Sequence, residues 1–141
     1  MIPVWDCPKE VAAFVAHGLG YSTGFGNSKG LGYANETEGI VAGVVYHNWN
    51  PASQVIEISA YSSRRDWLNK SRLRAVFSYP FDQLNCRMCI ARISEKNTRT
   101  LRIWRVLGAD FHTIPDLRAD GEAEVVAVLR RAKWKNSKFL R

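Results

Sequence analysis

Apolar residues recur along the chain with two periods, and each change of period marks an element. Val11, Phe14 and Val15 share a helical spacing within Asp6–His17, and Asp6 or Cys7 ahead of Pro8 suits a helix start. Gly18–Gly32, rich in Gly, Ser and Asn, reads as a flexible loop and a mobile lid. Gly30–Glu36 reads as a short strand. The uninterrupted, Val-rich stretch Gly39–His47 reads as a buried central strand, joined to it by a hairpin turn at Asn35–Gly39. Asn48–Ser53 contains Pro51 and turns again, and Gln54–Tyr61 alternates as a third strand. Helical spacing returns in Trp67–Leu84 through Leu68, Leu73, Val76, Phe77 and Phe81, with Pro80 expected to kink or tighten the last turn. Then come a strand at Cys86–Ile93 and a helix at Asn97–Leu107, with Leu101, Trp104 and Leu107 on one face and Gly108 as its stop. Strands at Ala109–Ile114 and Glu122–Arg130 follow. The basic tail Ala132–Arg141 reads as a terminal helix burying Trp134, Phe139 and Leu140.

This order, helix, three antiparallel strands, helix, strand, helix and two strands, predicts an α/β arrangement around a mixed sheet. A right-handed crossover sets the strand before Arg64 parallel to Cys86–Ile93. At 141 residues the chain suits one domain, 1–141. Apolar runs such as Ile40–Tyr46 are too short to span a bilayer. Met1–Asp6 lacks the basic-then-apolar pattern of a leader, so the default compartment is the cytoplasm.

Charge adds an asymmetry that periodicity does not show. Residues 1–60 carry two basic and five acidic side chains, and residues 61–141 carry eighteen and eight, within a formal net charge of +7. A basic half of this kind points to an anionic partner, either a phosphorylated cofactor or nucleic acid, or else to a solvated surface. The three cysteines, Cys7, Cys86 and Cys89, form no disulfide framework. Cys86-x-x-Cys89 lacks a second Cys/His pair for zinc, and strand alternation places its two side chains on opposite faces.

Two stretches carry a family likeness. Asn97-Thr98-Arg99-Thr100 through Val106-Leu107-Gly108-Ala109 resembles the Asn-x-x-Ser/Ala…Lys-Leu-Gly-Phe helix of the GNAT N-acetyltransferase superfamily. Leu73–Leu84, with Tyr79-x-Phe81, resembles the preceding helix in the branch that acetylates ribosomal-protein N-termini. The likeness covers roughly residues 40–115 and implies a GNAT-like mixed, mostly antiparallel sheet flanked by helices. It also implies acetyl-CoA as the acetyl donor and an amine as acceptor: a protein α-amine, a lysine or a small amine. A homodimer is compatible with it.

The same likeness places Arg64-Arg65-Asp66-Trp67-Leu68-Asn69 where the family has its glycine-rich pyrophosphate loop. Arg65 and Trp67 stand where glycines let the phosphate approach. Two readings stay open. In one, the loop keeps its shape while Arg64 and Arg65 supply charge-assisted contacts. In the other, the chain is a catalytically inactive GNAT-like module that binds nucleic acid or an acidic protein through its basic half and its aromatic-basic tail. For the first reading, the implied cofactor residues are Ile58, Ser59, Ala60, Arg64, Arg65, Trp67, Leu68, Asn69 and Asn97. The backbone of Ile58–Ala60 would pair with pantetheine and stabilise the oxyanion. Glu57, flanked by apolar Ile56 and Ile58, is the candidate general base, directly or through water, with His47 and His112 as alternatives. Thr100 is the candidate hydroxyl donor to the leaving thiolate, while Trp104 reads as core.

Overall fold

A computed structural model describes all of residues 1–141. It contains a seven-stranded sheet in the order β1-β2-β3-β4-β5-β7-β6. The strands are β1 (Ile2–Val4), β2 (Ser28–Asn35), β3 (Gly39–Asn50), β4 (Val55–Ser62), β5 (Met88–Ser94), β6 (Asp110–Ile114) and β7 (Glu124–Arg130). The helices are α1 (Pro8–Leu19), α2 (Lys70–Ser78), α3 (Thr98–Leu107) and the short α4 (Arg131–Lys135). β4 and β5 pair in parallel; β1–β2, β2–β3, β5–β7 and β6–β7 are antiparallel. The chain forms two compact units, Met1–Trp49 with Ile58–Ser78, and Asn50–Glu57 with Tyr79–Arg141. β4 passes from the second into the first.

In the first unit α1 lies on a sheet face that has been cleared for it. A Cβ at Gly30, Gly32 or Gly43 would come 3.0, 2.9 and 2.8 Å from side-chain atoms of Val11 or Val15. Val11, Val15 and Val45 are fully buried in consequence. Gly30 and Gly32 therefore belong to β2 and its packing, and the loop expected over Gly18–Gly32 shrinks to 20–27. Gly18 also has a packing role, since a Cβ there would meet the Tyr61 ring at 2.1 Å. β1 is an edge strand that periodicity did not announce; three residues are too few to show a period. The turns at both ends of β3 are built by asparagines: Asn35 Oδ1 accepts from the N–H groups of Thr37 and Glu38, and Asn50 Oδ1 from those of Ala52 and Ser53.

The helix expected over Trp67–Leu84 is shorter. α2 ends at Ser78, and Tyr79–Gln83 forms a π-helical turn in which the Leu84 N–H reaches Tyr79 O. Pro80 therefore widens the end of this helix; it does not tighten it. Proline cannot donate to the carbonyl four residues back, Val76 O. In the first unit that carbonyl accepts the buried Tyr46 hydroxyl at 2.6 Å.

The core of the second unit includes Phe81, Cys86, Cys89, Leu129 and Trp134. Phe81 and Trp134 stack with centroids 6.5 Å apart. Cys86 precedes β5, so the expected alternation of the two cysteines does not arise; both are buried. Burial pushes the Cys86 thiol up to about 11 and raises Cys89 well above its ordinary value, Cys86 adding to the latter effect. Protonated, buried thiols suit packing rather than metal or redox chemistry, and no group of three or more His, Cys, Asp or Glu side chains is placed to hold a metal ion. No helix is long and apolar enough to cross a membrane.

Candidate active site

The glycine-free segment Arg64–Asn69 keeps its shape through its own side chains. Ser62 Oγ accepts from the Arg64 N–H at 2.9 Å and lies 2.5 Å from Arg64 O. The backbone N–H and the hydroxyl of Ser63 both reach Val41 O on β3. Arg64 makes a two-pronged contact with Asp66, Nε to Oδ1 at 3.0 Å and Nη2 to Oδ2 at 2.9 Å, and its Nη1 lies 3.8 Å from Glu38. This pairing, led by the hydrogen bonds, raises Arg64 and holds Asp66 below the usual carboxylate range.

Trp67 turns inward. It is buried, with its ring 5.8 Å from Tyr33, and its carbonyl accepts from Arg72 Nη1 at 2.7 Å. The Arg72 guanidinium in turn lies 5.6 Å over the Tyr33 ring. Asn69 closes the segment as the cap of α2: its Oδ1 accepts from the Arg72 N–H at 2.9 Å, and its carbonyl accepts from the Leu73 N–H. Leu68 is half-buried between them.

The Arg64 guanidinium meets the carboxylates of Asp66 and Glu38, and the Trp67 indole lies in the core. The exposed cations at this end of α2 are Arg65 and Lys70. Together with the first-turn N–H groups of a nine-residue helix they form the anion-attracting end of the segment.

β4 carries Ile58, Ser59 and Ala60 in the first unit and Glu57 in the second. Its parallel ladder with β5 comprises three pairs, Val55–Met88, Ile56–Cys89 and Glu57–Ile90. The backbone groups of Ile58, Ser59 and Ala60 are not used by that ladder, as pairing to an extended ligand requires. Alternation places Ile56 and Ile58 on one face, both buried, and Ser59 on the other, where its Oγ meets His47 Nε2 at 2.9 Å. Glu57 has the parity of Ser59 and is half-buried. Its apolar sequence neighbours therefore point away from it, which removes the reason for which Ile56 and Ile58 were expected to tune it.

The second unit holds Asn97 and Thr100. Asn97 caps α3, its Oδ1 accepting from the Thr100 N–H at 3.3 Å; Gly108, at φ 97°, ends the helix in the left-handed conformation. Trp104 is buried, as expected, and Thr100 is half-buried. His112, an alternative base, is exposed on β6. In the tail, Trp134 is fully buried and Phe139 half-buried, while Leu140 is exposed. The ring best suited to stack on a nucleobase is therefore spent in the core.

No protein-family model matches this sequence, and no curated protein matches it either. Solved structures do. The spermidine/spermine N-acetyltransferase SpeG from Vibrio cholerae matches with a TM-score of 0.67 at 9% identity, over 77% of this chain and 70% of that one. The dodecameric spermidine N-acetyltransferase from the same organism, in an intermediate state, gives 0.68 at 10% identity over 79% and 69%. A further protein described as an acetyltransferase gives 0.67 at 17% identity over 87% and 65%. The chain has the fold of these acetyltransferases. The mixed, mostly antiparallel sheet flanked by helices that the GNAT likeness implied is the one found.

Proposed function

We propose that this chain, as a single domain over 1–141, is an N-acetyltransferase that moves acetyl from acetyl-CoA to an amine. The observation that carries the reading is the strand β4, whose ladder with β5 stops after three pairs and which runs directly into a braced segment ending at the capped N-terminus of α2. An extended thioester that carries a pyrophosphate and a 3′-phosphate needs both: backbone groups along a strand and an anion-binding helix end beyond it. The fold shared with acetyltransferases supports this choice over other phosphorylated ligands. Nothing comparable supports the nucleic-acid alternative.

Acetyl-CoA would supply an activated acyl group at a thioester carbon. The protein's part is to place it and to move protons. Backbone groups of Ile58, Ser59 and Ala60 would hold the pantetheine arm and polarise the carbonyl oxygen. Arg65, Lys70 and the first-turn N–H groups of α2 would receive the phosphates. Asn97 would contact the cofactor through its amide nitrogen, since its oxygen is committed to the cap. Glu57 would take the acceptor's first proton, directly or through water, and the Thr100 hydroxyl would donate to the leaving thiolate. The acceptor is proposed as an alkylamine. Spermidine, the acceptor of structures with this fold, is the first small amine to assay, and a peptide α-amine is the second.

Ligand-induced stabilisation tests the reading. Acetyl-CoA at a hundredfold excess over its Kd should stabilise the folded chain by about 2.7 kcal/mol, a rise of roughly 8 °C in Tm for a chain of this length. Free thiol should then appear on addition of an accepted amine. An unchanged Tm at millimolar acetyl-CoA overturns the reading.

A further inference from the structure

Three polar or charged residues are buried in the chain: His47, Ser59 and Glu124. Glu124 is ion-paired with Arg92 and with Arg118, which accounts for its burial. His47 and Ser59 face each other across β3 and β4, 6% and 9% exposed, with Nε2 and Oγ 2.9 Å apart. Phe25, carried by the segment between α1 and β2, packs on the imidazole with centroids 4.7 Å apart. Tyr21 lies 5.7 Å from Phe25, so a second ring backs the one that covers the imidazole. A hydroxyl hydrogen-bonded to a buried imidazole is a ready proton conduit, because imidazole is the side chain that exchanges protons near neutrality. Ser59 is also the residue whose backbone the reading above places at the thioester.

We infer that Ser59 and His47 form a proton relay for acetyl transfer; this rests on the acetyltransferase reading. An alkylammonium acceptor must lose two protons to become an amide. The first leaves before attack, to Glu57. As the nitrogen's lone pair forms the N–C bond and the C–S bond breaks to give a thiolate, the nitrogen sheds its second proton to Ser59 Oγ, while the Ser59 proton moves to His47 Nε2. The imidazolium returns its proton to solvent, and the departing thiolate takes one back. Ser59 touches the reacting nitrogen, and His47 acts through Ser59. The relay requires His47 to carry its resting proton on Nδ1, so that Nε2 accepts from the serine.

Two nucleophiles separate this relay from Glu57. Ethylamine is protonated at neutral pH and needs both deprotonations; hydroxylamine is neutral and needs only the second. With the full chain and acetyl-CoA, Glu57→Gln should lose transfer to ethylamine and keep transfer to hydroxylamine. Ser59→Ala and His47→Gln should lose transfer to both by about 100-fold or more. Ser59→Thr, which keeps the hydroxyl, should restore both to within a few-fold, and all variants should keep the wild-type rise in Tm with acetyl-CoA. A nitrogen-15 spectrum of the three histidines gives a readout independent of turnover: His47 Nε2 should be unprotonated at neutral pH. A protonated Nε2, or wild-type hydroxylamine transfer in a folded His47→Gln, overturns the relay. If neither nucleophile is accepted by wild type, the spectrum alone decides. If acetyl-CoA fails to stabilise wild type, the acetyltransferase reading falls instead.

Discussion

Two of the segments expected to contact the cofactor are built on opposite plans. Asn97–Gly108 is local throughout: the asparagine caps a helix by reaching three residues ahead, and a left-handed glycine stops it. Arg64–Asn69 has a local cap of the same kind at Asn69, but the rest of it is held from a distance. Val41 O, twenty-one residues back, anchors Ser62; Tyr33 receives Trp67; Glu38 lies beside Arg64. A glycine-rich loop adopts its shape because its residues permit it. This loop adopts its shape because its side chains are tied down. The absence of glycine is therefore compatible with a fixed backbone, at the cost of committing Arg64 and Trp67 to structure.

The largest expected effect is at the inward ring. Trp67→Ala removes a buried indole and should cost about 3–5 kcal/mol, read as a large fall in Tm, with loss of the acetyl-CoA-induced rise in whatever remains folded. A variant that keeps full acetyl-CoA binding would separate the loop's shape from its brace. Next come the exposed cations. Arg65→Ala with Lys70→Ala should weaken acetyl-CoA about tenfold or more by titration calorimetry while leaving Tm almost unchanged, whereas Arg64→Ala should affect binding less than either. The reverse order would restore Arg64 as the phosphate ligand. The two caps should then behave alike in stability. Asn69→Ala and Asn97→Ala should each cost about 1 kcal/mol, and the serine variants should recover most of it.

The smallest effect is the pH dependence of the Arg64–Asp66 pair. Asp66 is held low by Arg64, so its contribution is complete above the ordinary carboxylate range and is lost as pH falls through the depressed folded value. The difference in Tm between wild type and Asp66→Asn should be constant near neutrality and shrink towards zero in strong acid. A difference that grew on acidification would mean that the pair does not brace the loop.

The same contrast explains what could be read from the sequence. Helix α3, its glycine stop, the parallel partner of β4 and the order of elements from α1 to β7 were readable, because each depends on residues a few positions apart or on chain-level handedness. The lengths of α1 and β3 were close for the same reason. Long-range contacts were not readable. Gly30, Gly32 and Gly43 look like loop flexibility or strand defects until Val11 and Val15 are seen to rest on them. Pro80 reads as a helix breaker, but the Val76 carbonyl it leaves without a donor is taken by Tyr46, thirty residues away, and the turn widens. Arg64 and Trp67 fall in the same class: nothing nearby in sequence shows that Arg64 meets Glu38 or that Trp67 is buried against Tyr33. The His47–Ser59 pair was half visible, since both residues were singled out for separate reasons. Only the register of β3 against β4 joins them.

The central claim is that a braced, glycine-free loop still holds acetyl-CoA. Calorimetric titration of acetyl-CoA into the 141-residue chain, beside the Arg65→Glu, Lys70→Glu double variant, tests it most directly. The expected result is saturable one-to-one binding to wild type, abolished in the double variant while its Tm without ligand stays at the wild-type value. No binding to wild type, or equal binding to both proteins, would contradict the claim.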